Sequence, residues 1–243
     1  MNETQRLLQE FSRNGSDTAF RELVRRYLDL VYSVAIRRAH GDAHHAEDIV
    51  QTVFSDLARK AATLPKDILL GGWLHRHCCF VASNFARAES RRATREREAA
   101  LMNALQAGSD SPWEGLAPML DDVIEELPAP DRDALVLRFF EKLDFRAVGG
   151  VLGISDDAAQ KRVSRALEKL RHLLGARGLT LSLLALDPLL AANSVADAPA
   201  DWAVRISARA LESLPAKAGA LAALAGLFSL IGFKAALATL LLG

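Results

Sequence analysis

At 243 residues, half of them hydrophobic, the chain has room for one large domain or two small ones, each burying its own core. Its 30 Lys and Arg balance 30 Asp and Glu only in total: residues 1–108 carry +3, residues 109–130 carry −6, residues 131–178 carry +3, and the remainder is neutral. That distribution argues against one uniform domain and describes two mildly basic bodies on an acidic tether, so the neutral total does not exclude nucleic-acid binding. The two cysteines, Cys78 and Cys79, are adjacent on a helical stretch and point about 100° apart, which excludes a disulfide between them and suits a reducing compartment. The N-terminus, MNETQRLLQEFSR, is polar and amphipathic and lacks the apolar core of a signal peptide.

No run alternates with the period of a strand, and Ala, Leu, Arg and Glu dominate, so the expected fold class is all-α. Taken in order, Asp17 reads as the N-cap of a helix over Thr18–Ala39, striped by Phe20, Leu23, Val24, Tyr27, Val31 and Val34. Gly41-Asp42 breaks it. A helix over His45–Lys60 follows, with Ile49, Val50, Val53, Phe54 and Leu57 on one face. Leu64-Pro65 and Gly71-Gly72 bracket a loop. Trp73 then opens a long helix through Leu74, Phe80, Val81 and Phe85 into the Arg-rich stretch Arg87–Arg97.

Residues 1–106 thus make an N-terminal helical domain, and Ala107–Pro118 has linker composition within an acidic linker over 107–120. Helices over Asp121–Leu127 and Asp131–Phe140, parted by Pro128 and Pro130, lead into a second domain that ends near residue 175. There Phe145–Leu152 and Asp156–Leu174 flank a tight Leu152-Gly153-Ile154-Ser155 turn, the spacing of a helix-turn-helix whose second helix enters the major groove. That helix carries Lys161, Arg162, Arg165, Lys169 and Arg171 against a single Glu168. Its other side, Val163, Ala166, Leu167, Leu170 and Leu174, packs inward. Asp156-Asp157 suits the helix dipole as a cap but repels phosphate, so base contacts fall to Gln160 and beyond. Gly149-Gly150 costs the first helix about 1 kcal/mol per Gly relative to Ala, and close helix packing is the expected reason.

Residues 176–243 are rich in Ala and Leu. Residues 218–233 hold no charge, and with Lys234 the run to Leu242 makes a helix of about 37 Å against a hydrocarbon core of about 30 Å. Membrane attachment through residues 218–242 is the favoured reading, and a buried helical hairpin with Leu179–Ala192 is its rival. His75, His77, Cys78 and Cys79 invite a zinc site, but adjacent helical side chains diverge and no second Cys/His segment of ligand spacing exists, so packed helix residues are preferred. No nucleophile–base pair, phosphate-cradling glycine loop or paired-carboxylate site stands out, so neither catalysis nor a cofactor is expected.

Four segments in this order resemble the extracytoplasmic-function class of bacterial RNA polymerase sigma factors, over roughly residues 10–175. DTAFRELVRRYLDLVYSVAIRR is similar to the first conserved helix of that family, AEDIVQTVFSDLARK (Ala46–Lys60) to its polymerase-docking helix, and GGWLHRHCCFVASNFARAESRR (Gly71–Arg92) to its promoter-melting helix. LPAPDRDALVLRFFEKLDFRAVGGVLGISDDAAQKRVSRALEKLR is similar to its C-terminal promoter-binding domain. The resemblance implies a promoter-specificity subunit, not an enzyme, that joins core polymerase in the cytoplasm and reads two promoter elements. By position, Glu47, Asp48, Gln51 and Phe54 would contact the coiled coil of the polymerase β′ subunit. Trp73, Asn84, Arg87, Arg91 and Arg92 would meet the start-proximal element. Ser155, Gln160, Lys161, Arg162, Ser164 and Arg165 would read the upstream element. An anti-sigma factor would be a further partner. The competing readings are a freestanding helix-turn-helix regulator, membrane-tethered and independent of polymerase, and a membrane-anchored interaction protein whose basic helices meet lipid or a partner.

Overall fold

A computed structural model describes residues 2–87 and 111–214, and every regular element among them is helical. Helix α1 (Glu3–Asn14) starts at a reciprocal cap: Asn2 Oδ1 accepts from the Gln5 amide at 2.8 Å, and Gln5 Oε1 accepts from the Asn2 amide at 3.0 Å. Helix α2 (Asp17–Arg38) is capped by Ser16, one residue earlier than the sequence reading. Asp17 therefore sits in the first turn, where the helix dipole favours a carboxylate. Helix α3 (Ala43–Lys60) is capped by Asp42, which accepts from the amides of His44 and His45.

Helix α4 covers residues 70–87 of the described chain, so it opens before Trp73, and Gly71 and Gly72, read as the loop's end, lie in its first turn. A Cβ on Gly71 would stand 2.0 Å from Glu141 Oε1, and one on Gly72 would stand 2.4 Å from Asp133 Oδ1. The glycine pair lets two carboxylate side chains of the second half of the chain reach the α4 backbone.

Helix α5 (Pro112–Glu126) begins inside the stretch whose composition suggested linker. Pro112 is harmless at the start of a helix, and Leu116, Leu120, Val123 and Ile124 give the segment a buried stripe. Helix α6 (Ala129–Leu135) runs on through a wide turn at Val136–Phe140, closed by the Glu141 amide donating to the Val136 carbonyl at 2.9 Å. Helices α7 (Phe145–Leu152) and α8 (Asp156–Ala176) form the helix-turn-helix, followed by α9 (Leu183–Asn193) and α10 (Trp202–Glu212).

One continuous apolar core draws on α1 through α6, α8, α9 and α10. The two basic bodies expected from charge thus lie against each other. Their seam also holds buried polar groups. Arg37 Nε and Nη2 donate to the two oxygens of Asp121 at 2.8 and 3.0 Å, with the side chains only 9% and 2% exposed. His75 Nε2 lies 3.1 Å from the same carboxylate, and the Phe140 ring packs against both the Arg37 guanidinium and the His75 ring. Burial by itself would raise the Asp121 carboxyl, but the Arg37 charge and the hydrogen bonds from His75 and Arg37 outweigh it and hold the group well below the usual carboxylate range. Arg38 pairs with Asp122 and donates to Ser83 Oγ at 3.1 Å.

The four residues weighed as zinc ligands have other partners. His75 belongs to the Asp121 pair, His77 Nε2 lies 2.7 Å from Asp56 Oδ2, and Cys78 and Cys79 are fully buried core residues.

Candidate nucleic-acid and partner interfaces

The helix-turn-helix is built around a small separate core of Leu137, Val148 and Ala159. Asp144 caps α7, and Ser155 caps α8 by accepting from the Ala158 amide, so Asp156 and Asp157 are first-turn dipole partners and not the cap itself. Gly153 adopts φ 68°, the left-handed conformation that turns the chain between the helices. A Cβ on Gly149 would stand 2.7 Å from the Ile154 carbonyl oxygen, so this glycine does answer to close packing; Gly150 meets nothing within 4 Å. On the platform so built Ser155, Gln160, Lys161, Ser164 and Arg165 are all exposed, with Arg162 half-buried beside them. Lys169, counted with the basic face in the sequence, is committed to Asp131 at 2.5 Å. The amide and guanidinium groups left on the open face are those that pair bidentately with base edges, and Lys161 suits phosphate.

A second surface runs along α4. Trp73, His77, Phe80, Asn84 and Arg87 recur at alternating steps of four and three, which puts them on one side of the helix. The Trp73 and His77 rings stack at 4.7 Å and 15°, and the His77 and Phe80 rings follow at 6.1 Å and 23°. Phe80 is 59% exposed, whereas Leu74 and Val81 on the same helix are buried. Arg76 and Asn84 line the same groove, and Glu125 closes it from α5. Burial, then the nearby Lys60 charge, lowers the His77 pKa against the pull of its Asp56 hydrogen bond. A neutral ring in a line of flat aromatic faces, flanked by amide and guanidinium groups, suits unstacked bases. Phe80, Arg76 and His77 were absent from the sequence-based site; the four-and-three recurrence from Trp73 is the signal that could have found His77 and Phe80. Arg91 and Arg92 lie outside the described residues.

The third surface is α3. Asp48 is exposed, whereas Phe54 is fully buried. Phe54 supports the helix from inside and has no surface to offer a partner, which corrects its place among the contact residues. Glu47 and Gln51 are half-buried for a different reason: α10 lies across them. Arg205 Nη2 and Arg209 Nη1 stand 3.2 and 3.5 Å from Glu47 Oε1, and Gln51 Nε2 donates to the Ile206 carbonyl at 3.5 Å and to Ser55 Oγ at 3.1 Å. The apolar run over residues 218–242 lies outside the described residues; among those described, no helix is long and apolar enough to cross a membrane.

Comparison with known proteins matches two separate parts of the chain. Residues 23–92 fit the family model Sigma-70 region 2, which takes in α2, α3 and the described part of α4. Residues 118–170 fit Sigma-70, region 4, which takes in the helix-turn-helix. The chain is 32% identical to the RNA polymerase sigma factor CarQ of Myxococcus xanthus over 67% of its own length and 93% of CarQ. It is 30% identical to the ECF RNA polymerase sigma factor SigE of Mycolicibacterium smegmatis over 63% of its length and 60% of SigE. A solved structure of CnrH in complex with the cytosolic domain of CnrY is similar at 23% identity and a TM-score of 0.36, covering 72% of this chain and 99% of that one. With both regions present in order and CarQ matched along nearly its whole length, the chain belongs to the extracytoplasmic-function class of RNA polymerase sigma factors, and is a promoter-specificity subunit that directs transcription initiation.

Proposed function

We propose that this sigma factor docks on the β′ subunit of core RNA polymerase through the exposed side of α3, with Glu47, Asp48 and Gln51 as its contact residues. The α4 stripe then holds the start-proximal element: Trp73, His77 and Phe80 take unstacked bases, while Asn84 and Arg87, with Arg91 and Arg92 beyond them, meet bases and phosphates. Helix α8 reads the upstream element, with Gln160 and Arg165 on base edges and Ser155, Lys161, Arg162 and Ser164 supporting the backbone contacts. The observation that carries the reading is that each matched region lines base-compatible side chains along one helix, with Phe80, Asn84 and Arg87 exposed on α4 and Gln160 and Arg165 exposed on α8. It acts where polymerase acts, in the cytoplasm. An anti-sigma factor would inhibit it by covering α3 or α8, and membrane tethering would have to come from residues 218–242.

The test is transcription by purified core polymerase on fragmented genomic DNA of the source bacterium, with start sites mapped by sequencing. Addition of the chain should create start sites sharing two upstream sequence elements, and Gln160→Ala with Arg165→Ala should erase the upstream one. If the chain does not bind core polymerase at all, the reading fails. If it binds duplex DNA tightly without core and leaves transcription unchanged, it is a freestanding regulator.

A further inference from the structure

We propose that α10 is an internal competitor for polymerase, covering the docking face of α3 until it is displaced. The proposal rests on the assignment of α3 as the docking helix and adds how access to it is controlled.

Helix α10 belongs to neither matched region, and it reaches α3 by a directed route. Arg37 Nη1 donates to the Ser194 carbonyl at 2.8 Å, and the Ala196 amide donates to Ser33 Oγ at 2.7 Å. The Ala198 amide donates to Asp29 Oδ1 at 3.0 Å. Residues 194–198 are therefore laid along α2, and the chain arrives at α3 in one register. There Trp202, Ile206 and Ala210, spaced four apart, are buried against α2 and α3, with Tyr32 edge-on to Trp202 at 5.3 Å. The flank of the same helix carries Arg205 and Arg209, both within ion-pair distance of Glu47. Two guanidinium groups thus occupy a carboxylate that the docking assignment gives to the polymerase, and a backbone carbonyl occupies the amide of Gln51. A partner cannot take these groups while α10 holds them.

The cover is releasable. Its charged contacts are partly exposed, with Arg205 and Arg209 side chains 39% and 59% accessible, and such pairs are individually weak. Its fully buried apolar part is three side chains on a helix of 11 residues, with Ala203 and Leu211 partly buried beside them. The segment just before it, α9, packs on α8 and α5, so the same strap ties the region that reads the upstream element to the region that meets polymerase. In a two-state description, the apparent dissociation constant for polymerase is the intrinsic one divided by the uncovered fraction.

The experiment measures binding of the full chain to purified core polymerase, and transcription from the mapped promoters, for the unaltered protein, R205E/R209E and I206D. The first variant turns the Glu47 contacts into repulsion; the second puts a carboxylate in the covered face of α10. Circular dichroism checks that each stays helical, and R6E/R25E, which breaks pairs within α1 and within α2, is the control. An uncovered fraction of about one in ten without substitution would make affinity and transcription rise roughly tenfold in both variants and leave the control unchanged. Equal or weaker core binding by both folded variants overturns the competitor role while the sigma reading stands. No binding by any of the proteins overturns both.

Discussion

Helices α3 and α8 are both charged on one side and apolar on the other, yet one is covered and the other open. The α8 face is arranged by its near neighbours: the Ser155 cap and the Gly153 turn lie within a few residues of it, and the small core under Ala159 draws on nothing farther back than Leu137. The α3 face is decided by α10, about 155 residues later in the chain. A surface built locally can be read from its own segment. A surface that a distant segment covers cannot, however clear its motif. The seam between the two regions makes the same point, since Arg37 and Asp121 are 84 residues apart and neither looks unusual in the sequence.

The largest expected effect comes from breaking that seam. Asp121→Ala leaves the Arg37 guanidinium and His75 buried without their shared acceptor, and should cost about 3–5 kcal/mol in denaturant unfolding. Because the Asp121 pKa is depressed, its contribution is complete above the unfolded value of 3.8 and is lost as pH falls through the still lower folded value. The variant should therefore lose its penalty only in strong acid. A smaller penalty at neutral pH would show that the two regions are held together mainly by the apolar core.

Glu141 should titrate the same seam in the opposite sense. Burial raises its carboxyl pKa to about 7, against the pull of Arg26 and the hydrogen bond from Tyr27 at 3.4 Å. A raised value means a contribution present in full below 4.5 and lost as pH climbs through about 7. Glu141→Gln should flatten this slope and stabilise the protein at pH 8 by roughly 2–3 kcal/mol relative to the parent. Parallel pH–stability curves for the two proteins would refute the assignment.

The open face invites finer tests. Gln160→Ala should lose about 1–3 kcal/mol of discrimination at one upstream base pair and leave core polymerase binding intact. Lys161→Ala should weaken binding to all promoter sequences alike and reduce the slope of log affinity against log salt by roughly 0.9. If either variant instead weakened core binding, α8 would not be the independent platform that its local construction implies. Phe80→Ala, on the α4 stripe, should slow strand opening while leaving duplex binding at the upstream element unchanged; single-strand affinity should fall by about 1–3 kcal/mol per lost stacking contact.

The amino-acid sequence by itself determined the helical class, most helix positions, the helix-turn-helix, and the polar residues on α8, because 3.6-residue periodicity, N-caps and a turn glycine act within a few residues of one another. It also supplied the motif of α3 and the charged residues on its face. Tertiary structure decided between the two places the sequence offered Phe54, the apolar stripe and the partner contact, and it alone made Phe80 surface, since a short apolar stripe does not say where its edge lies. Tertiary structure also decided that Gly71 and Gly72 admit two carboxylates, and that Glu47 answers to Arg205 and Arg209. Those outcomes depend on which distant segments meet, and individual ion pairs and apolar contacts carry no mark in the local sequence of the partner they will find.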